Sequence, residues 1–103
     1  MKLRVEKLQE LIKQELSQII LTELKDPRLG FITVTGVELT GDLKYAKVYV
    51  SIMGTGDEIK SSLLGLKSGL GLMRREIGRR IRMRFVPEIS FALDTSLNYS
   101  EHI

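Results

Sequence analysis

The sequence has no cysteine and a single histidine, His102, next to the last residue. Without cysteine the chain has no disulfide and no thiolate ligand for a zinc ion. One histidine without a fixed partner does not make an acid–base pair. The glycine-containing loops GTGD and GLG match neither the Walker pattern nor the dinucleotide-binding fingerprint. We therefore expect no metal, no cofactor and no enzymatic activity.

Long hydrophobic runs are missing as well. No apolar run approaches the roughly 20 residues that span a bilayer, and the first residues, MKLRVEKLQE, include acids, unlike a signal peptide. Hydrophobic residues make up 43% of the 103 residues and charged residues 28%, which is typical of a folded chain. We expect one domain over residues 1–103, soluble and cytoplasmic, monomeric and without a membrane partner.

The positive charge is concentrated in one part of the chain. Residues 60–86 contain 8 lysines and arginines and 1 acid, a net charge of +7, whereas residues 1–59 have a net charge of −1 and residues 87–103 of −3. A local positive patch attracts polyanions at long range, and nucleic acid is the commonest intracellular polyanion. The charge distribution alone therefore favours a nucleic-acid-binding surface.

The first 25 residues have apolar positions at steps of three and four, with charged residues between them. This spacing predicts an amphipathic helix over residues 3–25. The helix cannot pass Lys25, because Pro27 lacks an amide hydrogen and disfavours helical geometry in Asp26. The sequence KDPRLG is therefore expected to form a turn.

Two segments rich in β-branched and aromatic residues follow, FITVTGVELT and KYAKVYVSIM. Their period-two alternation predicts a hairpin whose open face carries Tyr45, Lys47 and Tyr49. Helical spacing returns over residues 57–83, with an expected kink near Gly69 and Gly71, since glycine is unfavourable inside a helix. The final segment, EISFALD, alternates as a strand.

The resulting α-β-β-α-α-β order predicts an α+β fold. A crossover that contains helices normally returns the chain parallel to the strand that it left. We therefore expect a three-stranded mixed sheet, with the helices on its apolar face.

Residues 71–85, GLMRREIGRRIRMRF, form what we call the arginine segment. Its six arginines are Arg74, Arg75, Arg79, Arg80, Arg82 and Arg84. At about 100° per residue, Arg75, Arg79 and Arg82 share one outward face of a helix, opposite an apolar stripe. Guanidinium groups bind phosphate in a bidentate way and stack on bases. We predict that the arginine segment contacts nucleic-acid phosphates.

Other interpretations of the arginine segment remain open at this point. Its arginines can pair with acids elsewhere in the fold, as on an ordinary solvated helix face. Two helices joined by a glycine-containing turn are also typical of a helix-turn-helix, although a sequence-specific reader is expected to carry Asn or Gln at base-facing positions. A third alternative is a module that binds an acidic protein.

The element order is similar to the type II KH fold, an RNA-binding module, although no G-x-x-G clamp occurs. The segments KDPRLGFITVTGVELTGDLKYAKVYVSI and LGLMRREIGRRIRMRFVPEISFALDTSL closely resemble the ribosome-binding factor A family. In that family alanine, any residue and glycine replace the clamp, and the matching positions here are Gly69, Leu70 and Gly71. Gly69 lacks the methyl group of that alanine, so we expect a looser kink. Family members commonly have a further C-terminal tail, so we expect a truncated chain.

The resemblance implies a non-enzymatic assembly factor that binds the immature small (30S) ribosomal subunit and its rRNA. It further implies help in processing the leader end of that RNA and in growth in the cold, with an assembly GTPase as a candidate partner for release. Basic positions of the family match Arg74, Arg84 and Arg28, while the other arginines of the arginine segment come from the helical wheel. Two weaker candidates, equally suited to a plain surface charge, are Arg4 and Lys47.

Overall fold

The computed structural model describes residues 2–95, and His102 lies outside them. The elements follow the expected α-β-β-α-α-β order. They are α1 (Lys2–Thr22), β1 (Ile32–Leu39), β2 (Tyr45–Ile52), α2 (Gly56–Ser68), α3 (Leu70–Arg80) and β3 (Glu88–Leu93). The predicted α+β class is confirmed.

The three strands form one mixed sheet in the order β1-β2-β3. The central strand, β2, pairs antiparallel with β1 through the hairpin and parallel with β3, where Val48 lies opposite Phe91. The crossover that contains α2 and α3 therefore returns parallel to β2, as predicted. A β-bulge between Val34 and Gly36 shifts the register between β1 and β2.

The core lies between one face of the sheet and the helices. Alternate residues of β2 enter it because side chains of a strand point to opposite faces in turn. The buried residues of α1, β2 and α3 are Ile12, Leu16, Ile19, Ala46, Val48, Val50, Ile52, Met73 and Ile77. Tyr45 and Lys47 are exposed on the opposite face of β2, which confirms the predicted alternation.

The chain breaks between α2 and α3 at one residue, Gly69 (φ −89°, ψ 6°). The N–H of Gly69 still bonds carbonyls in the last turn of α2, and its carbonyl accepts the N–H of Met73, 2.9 Å away, in α3. Gly71 lies inside α3. A Cβ at Gly69 would lie 2.5 Å from Leu24 Cδ2. The Leu24 side chain thus occupies the space that a methyl group at position 69 would need, so the absence of that methyl group leaves no cavity.

The first helix ends at Thr22, three residues earlier than predicted. The N–H groups of Glu23 and Leu24 both bond the carbonyl of Ile19, at 2.8 and 3.2 Å. Such closely spaced bonds to one carbonyl are typical of the last turn of a helix. The early end directs Leu24 toward the kink, a tertiary contact that the apolar spacing alone does not specify.

The helix α3 also ends three residues early, at Arg80 rather than residue 83. Ile81 adopts extended backbone (φ −119°, ψ 130°). Its side chain is buried, and Met83 and Val86 pack against the core after it. Ile81 would be buried either on the apolar stripe of a longer helix or in an extended segment, so the spacing of apolar residues alone does not locate the end of α3.

Candidate nucleic-acid interface

One face of α3 is packed and the opposite face is solvated. Met73 and Ile77 are buried, whereas Arg75 and Arg79 are exposed. The helical wheel placed Arg82 on this exposed face too, but Arg82 lies beyond the end of the helix. That grouping was therefore wrong, and only two of the three predicted arginines share the face.

Two arginines of the segment pair with carboxylates of the domain itself. Glu76 is only 7% exposed, and it accepts hydrogen bonds from Arg79 Nη1 at 3.0 Å and from Arg80 Nε at 3.3 Å. Arg80 also reaches Glu15 of α1, with Nη1 3.3 Å from Oε1. Arg80 therefore joins α3 to α1. Its bond to Glu76 also supplies the charged partner that a largely buried carboxylate needs.

Arg74 has a different set of partners, all on the backbone. Its Nε donates to the carbonyl of Pro87 at 3.2 Å, and its Nη2 donates to the carbonyl of Val86 at 3.1 Å. These bonds attach α3 to the start of β3. Because carbonyls carry no net charge, Arg74 is left without a carboxylate partner among residues 2–95.

The other three arginines of the segment are Arg75, Arg82 and Arg84. Within residues 2–95 none of them has a carboxylate oxygen within 4.0 Å. The guanidinium carbon of Arg84 lies 5.5 Å from the ring centroid of Phe85, a cation–π distance. Four of the six arginines, Arg74 included, thus lack a carboxylate partner in the described part of the chain.

A groove of about 790 Å³ opens beside the extended end of the arginine segment. We call it the basic groove. Its walls come from the first turns of α1, the turn between β1 and β2, and the residues that follow α3. The lining residues are Leu3, Arg4, Lys7, Leu8, Asp42, Leu43, Lys44, Arg82, Met83, Arg84 and Phe85.

The basic groove brings together three of the predicted contact residues, Arg4, Arg82 and Arg84. Sequence reasoning missed Lys7 and Lys44, together with the aromatic ring of Phe85. The sequence RMRF places the ring of Phe85 next to an arginine, and this was the one signal that pointed to Phe85 as a contact residue. The two lysines gave none, because their positions depend on the tertiary contact between α1, the hairpin and the end of α3.

Arg28 lies away from the basic groove, in the turn after α1. It forms a bidentate pair with Asp26, with Nε 3.0 Å from Oδ1 and Nη2 2.6 Å from Oδ2. Its Nη2 also donates to Ser68 Oγ at the end of α2, 3.0 Å away. The guanidinium lowers the pKa of Asp26 to about 2 and the carboxylate raises the pKa of Arg28. These contacts give Arg28 a structural role.

Lys47 lies on the open face of the sheet, apart from the arginine segment. Its ammonium is 5.6 Å from the ring centroid of Tyr49. The Tyr49 hydroxyl donates to Glu38 Oε1 at 3.2 Å. The structure thus separates Lys47 from the other predicted contact residues.

Two other features are absent from the described residues. Between residues 2 and 95, no three His, Asp or Glu side chains are close enough together to hold a metal ion. No helix of that range is both long enough and apolar enough to cross a bilayer.

The element order, the mixed sheet and the break at Gly69 define a KH-like domain. The sequence profile described as ribosome-binding factor A matches residues 4–103. The chain belongs to the ribosome-binding factor A family.

Similar proteins include ribosome-binding factor A of Acetivibrio thermocellus, 54% identical over 101 residues that cover 97% of this chain and 82% of the relative. That of Desulfitobacterium hafniense is 53% identical over 100 residues, 97% of this chain and 80% of the relative.

Two structures of Thermus thermophilus ribosome-binding factor A have the same fold. The crystal structure gives a TM-score of 0.78 at 29% identity and covers 86% of this chain and 93% of its own. The other is a homology model fitted into the cryo-EM map of a 30S–RbfA complex. It gives a TM-score of 0.71 at 29% identity and covers 84% of this chain and 91% of its own.

Proposed function

We propose that the chain is a non-enzymatic assembly factor that binds the small (30S) ribosomal subunit through its rRNA. Family membership supports the proposal, since the similar proteins are named ribosome-binding factors. A structural neighbour fitted into the map of a 30S–RbfA complex supports the choice of subunit.

The uncompensated cations are the observation on this chain that carries the proposal. Four arginines of the arginine segment lack a carboxylate partner within residues 2–95, and three of their neighbours in or near the basic groove are also cations. Like charges held this close raise the free energy of the folded state. A polyanionic partner such as rRNA offsets that repulsion, and its phosphates are suited to guanidinium forks.

The proposed contacts fall into two groups. Arg75 on α3, and Arg4, Arg82 and Arg84 at the basic groove, contact phosphates directly. Arg79 joins them because its side chain is 73% exposed, although its Nη1 is bound to Glu76. The remaining predicted residues add to the positive field without a direct contact. Arg28, Arg74 and Arg80 hold parts of the fold together, and Lys47 lies apart on the open face of the sheet. Phosphate contacts position a protein on RNA without reading its sequence.

Family membership alone supports several finer proposals. The factor acts as a monomer in the cytoplasm, assists processing of the leader end of the small-subunit rRNA and supports growth in the cold. An assembly GTPase drives its release from the subunit. In this scheme the basic surface bridges RNA segments that the mature subunit places elsewhere, and it holds the assembly intermediate open until it folds correctly.

Co-sedimentation with isolated 30S subunits, 50S subunits and duplex DNA at moderate salt tests the proposed function. We expect the 30S subunit to retain the chain in excess of the other two. Binding should fall with salt at a log–log slope of about −3 to −5, as for four to six phosphate contacts. Equal retention by all three polyanions would contradict the proposal and leave only nonspecific charge attraction.

A further inference from the structure

We propose that the basic groove binds single-stranded RNA, with one unpaired base stacked on the ring of Phe85 and the flanking phosphates against the surrounding cations. The inference deepens the proposed function and rests on it, because it takes the polyanion to be rRNA. It adds a second mode of contact to the phosphate contacts on α3. It also assigns a ligand to a residue that has no role in the core.

The aromatic ring of Phe85 is exposed to solvent. Phe85 is 74% exposed, whereas its neighbour Pro87 is fully buried and Val86 packs against the core. The Arg84 guanidinium, 5.5 Å from the ring centroid, covers one side of the ring. An exposed ring with this accessibility has an open face, and base–aromatic stacking is the usual way in which proteins hold unpaired bases.

The walls of the basic groove are positively charged. Five of the eleven lining residues are Lys or Arg, and one is an acid. None of the five pairs with a carboxylate of residues 2–95. The one acid, Asp42, has its Oδ1 engaged by the Thr40 hydroxyl at 2.7 Å and by the Lys44 N–H at 3.1 Å. The cations therefore remain available for phosphates.

The basic groove has the size of a ligand site, and one of its walls is a rigid turn. The volume of about 790 Å³ lies within the range of roughly 300–1,000 Å³ that is usual for small-ligand sites. One wall is the turn between β1 and β2, where Leu43 adopts φ 64°, an uncommon backbone for a residue with a bulky side chain. The Thr40 N–H and the Tyr45 carbonyl close this turn at 2.9 Å. A wall built in this way belongs to the fold and forms without the ligand.

These features favour a single strand over the other polyanions. A duplex keeps its bases stacked inside, so it would place phosphates against the apolar surfaces of Phe85 and Leu3, the latter 64% exposed. An acidic peptide supplies carboxylates for the cations but no flat face for the ring. An unpaired nucleotide supplies both a base and phosphates.

Tryptophan substitution provides a direct test, because the chain contains no tryptophan. The Phe85→Trp variant carries one reporter in the groove. Phe31→Trp is the matched control, since Phe31 is 81% exposed and lies beside the C-terminal half of α1. The probes are decauridylate and a ten-base-pair RNA duplex. We expect decauridylate to quench Phe85→Trp and not Phe31→Trp, and the duplex to quench neither.

Alanine variants measure the contribution of the ring. Loss of one stacked base corresponds to a decrease in affinity of about tenfold, so Phe85→Ala should raise the Kd for decauridylate by that factor. Phe31→Ala should leave the Kd within about twofold. Wild-type affinity in Phe85→Ala, or equal losses in both variants, would overturn the stacking site. Equal quenching by the duplex, or equal competition by decaglutamate, would overturn the assignment to single-stranded RNA.

The outcomes also separate this inference from the proposed function. A chain that co-sediments with 30S subunits but shows no quenching by decauridylate retains the proposed function and loses the groove site. If decauridylate quenches Phe85→Trp but the chain shows no preference for 30S subunits, the groove is not a site for rRNA, and the proposed function fails as well. Quenching together with 30S preference supports both.

Discussion

The two ends of α1 have opposite surroundings. The helix has 21 residues and is therefore about 30 Å long. Its first turns border the basic groove, and we call this region the groove end. Beyond its last turn, Leu24 packs against Gly69, and the turn KDPRLG contacts α2; we call this region the kink end.

Arginine has a different role at each end. At the kink end Arg28 is bound to Asp26 and Ser68, and it connects two segments of the chain. At the groove end Arg82 and Arg84 have no such partner among residues 2–95, although they lie near other cations. The comparison teaches that a count of arginines does not locate an interface. The interface is where the fold leaves guanidinium groups without acids.

The largest expected effect comes from reversing charge at the groove end. Arg82→Glu with Arg84→Glu should weaken binding to 30S subunits about 100-fold, since two charge-assisted contacts are worth roughly 3 kcal/mol. The matched control reverses two exposed lysines at the kink end, Lys25→Glu with Lys67→Glu. Both variants change the net charge equally, so co-sedimentation compares position alone.

A second readout sharpens this test. Loss of two phosphate contacts should make the log–log salt dependence shallower by about 1.5 in the groove-end variant. The kink-end variant should keep the wild-type slope and bind within about threefold of wild type. Equal weakening of the two variants would remove the distinction between the two ends and leave net charge as the explanation.

Adjacent residues of α3 permit the same comparison for stability. Arg74→Met removes two hydrogen bonds to the carbonyls of Val86 and Pro87, and we expect a loss of about 2 kcal/mol in the free energy of unfolding. Arg75→Met removes no hydrogen bond or ion pair among residues 2–95 and should change that free energy by less than about 0.5 kcal/mol. Urea unfolding measures both. Equal losses would show that Arg74 has no structural role.

The elements and the mixed sheet were predictable from the sequence, because the elements follow from local periodicity and a crossover that contains helices returns the chain parallel to the strand that it left. The kink was predictable because glycine is unfavourable within a helix. The end of α3 was not, since Ile81 is buried in either backbone conformation. The basic groove was not predictable either. It forms where the first turns of α1, the hairpin turn and residues 82–85 meet, and more than 30 residues of sequence lie between each of these segments and the next.

The glycines near the kink end test how tightly that region is packed. A Cβ at Gly65 would lie 2.9 Å from Leu29 Cδ2, whereas a Cβ at Gly71 meets nothing within 4 Å. Glycine to alanine inside a helix normally stabilises by about 0.5–1 kcal/mol. We expect that gain for Gly71→Ala, and a loss of about 1 kcal/mol for Gly65→Ala because the clash outweighs it. Thermal unfolding of the two variants measures the sign of each change in stability. Higher stability in Gly65→Ala would mean that Leu29 moves aside freely.

The smallest expected effect is the acid sensitivity of the Asp26–Arg28 pair. Since the guanidinium lowers the pKa of Asp26 from 3.8 to about 2, the folded state is stabilised by this carboxylate above pH 4 and loses that contribution as the pH falls to about 2. Asp26→Asn keeps one oxygen that can accept the Arg28 N–H, and it removes the charge together with the Oδ2 acceptor of Arg28 Nη2. The variant should therefore melt slightly below wild type at pH 7 and together with it near pH 2. An exposed ion pair contributes little, so we expect a small difference in melting temperature. A difference that is the same at pH 7 and near pH 2 would show that the negative charge of Asp26 does not stabilise the turn.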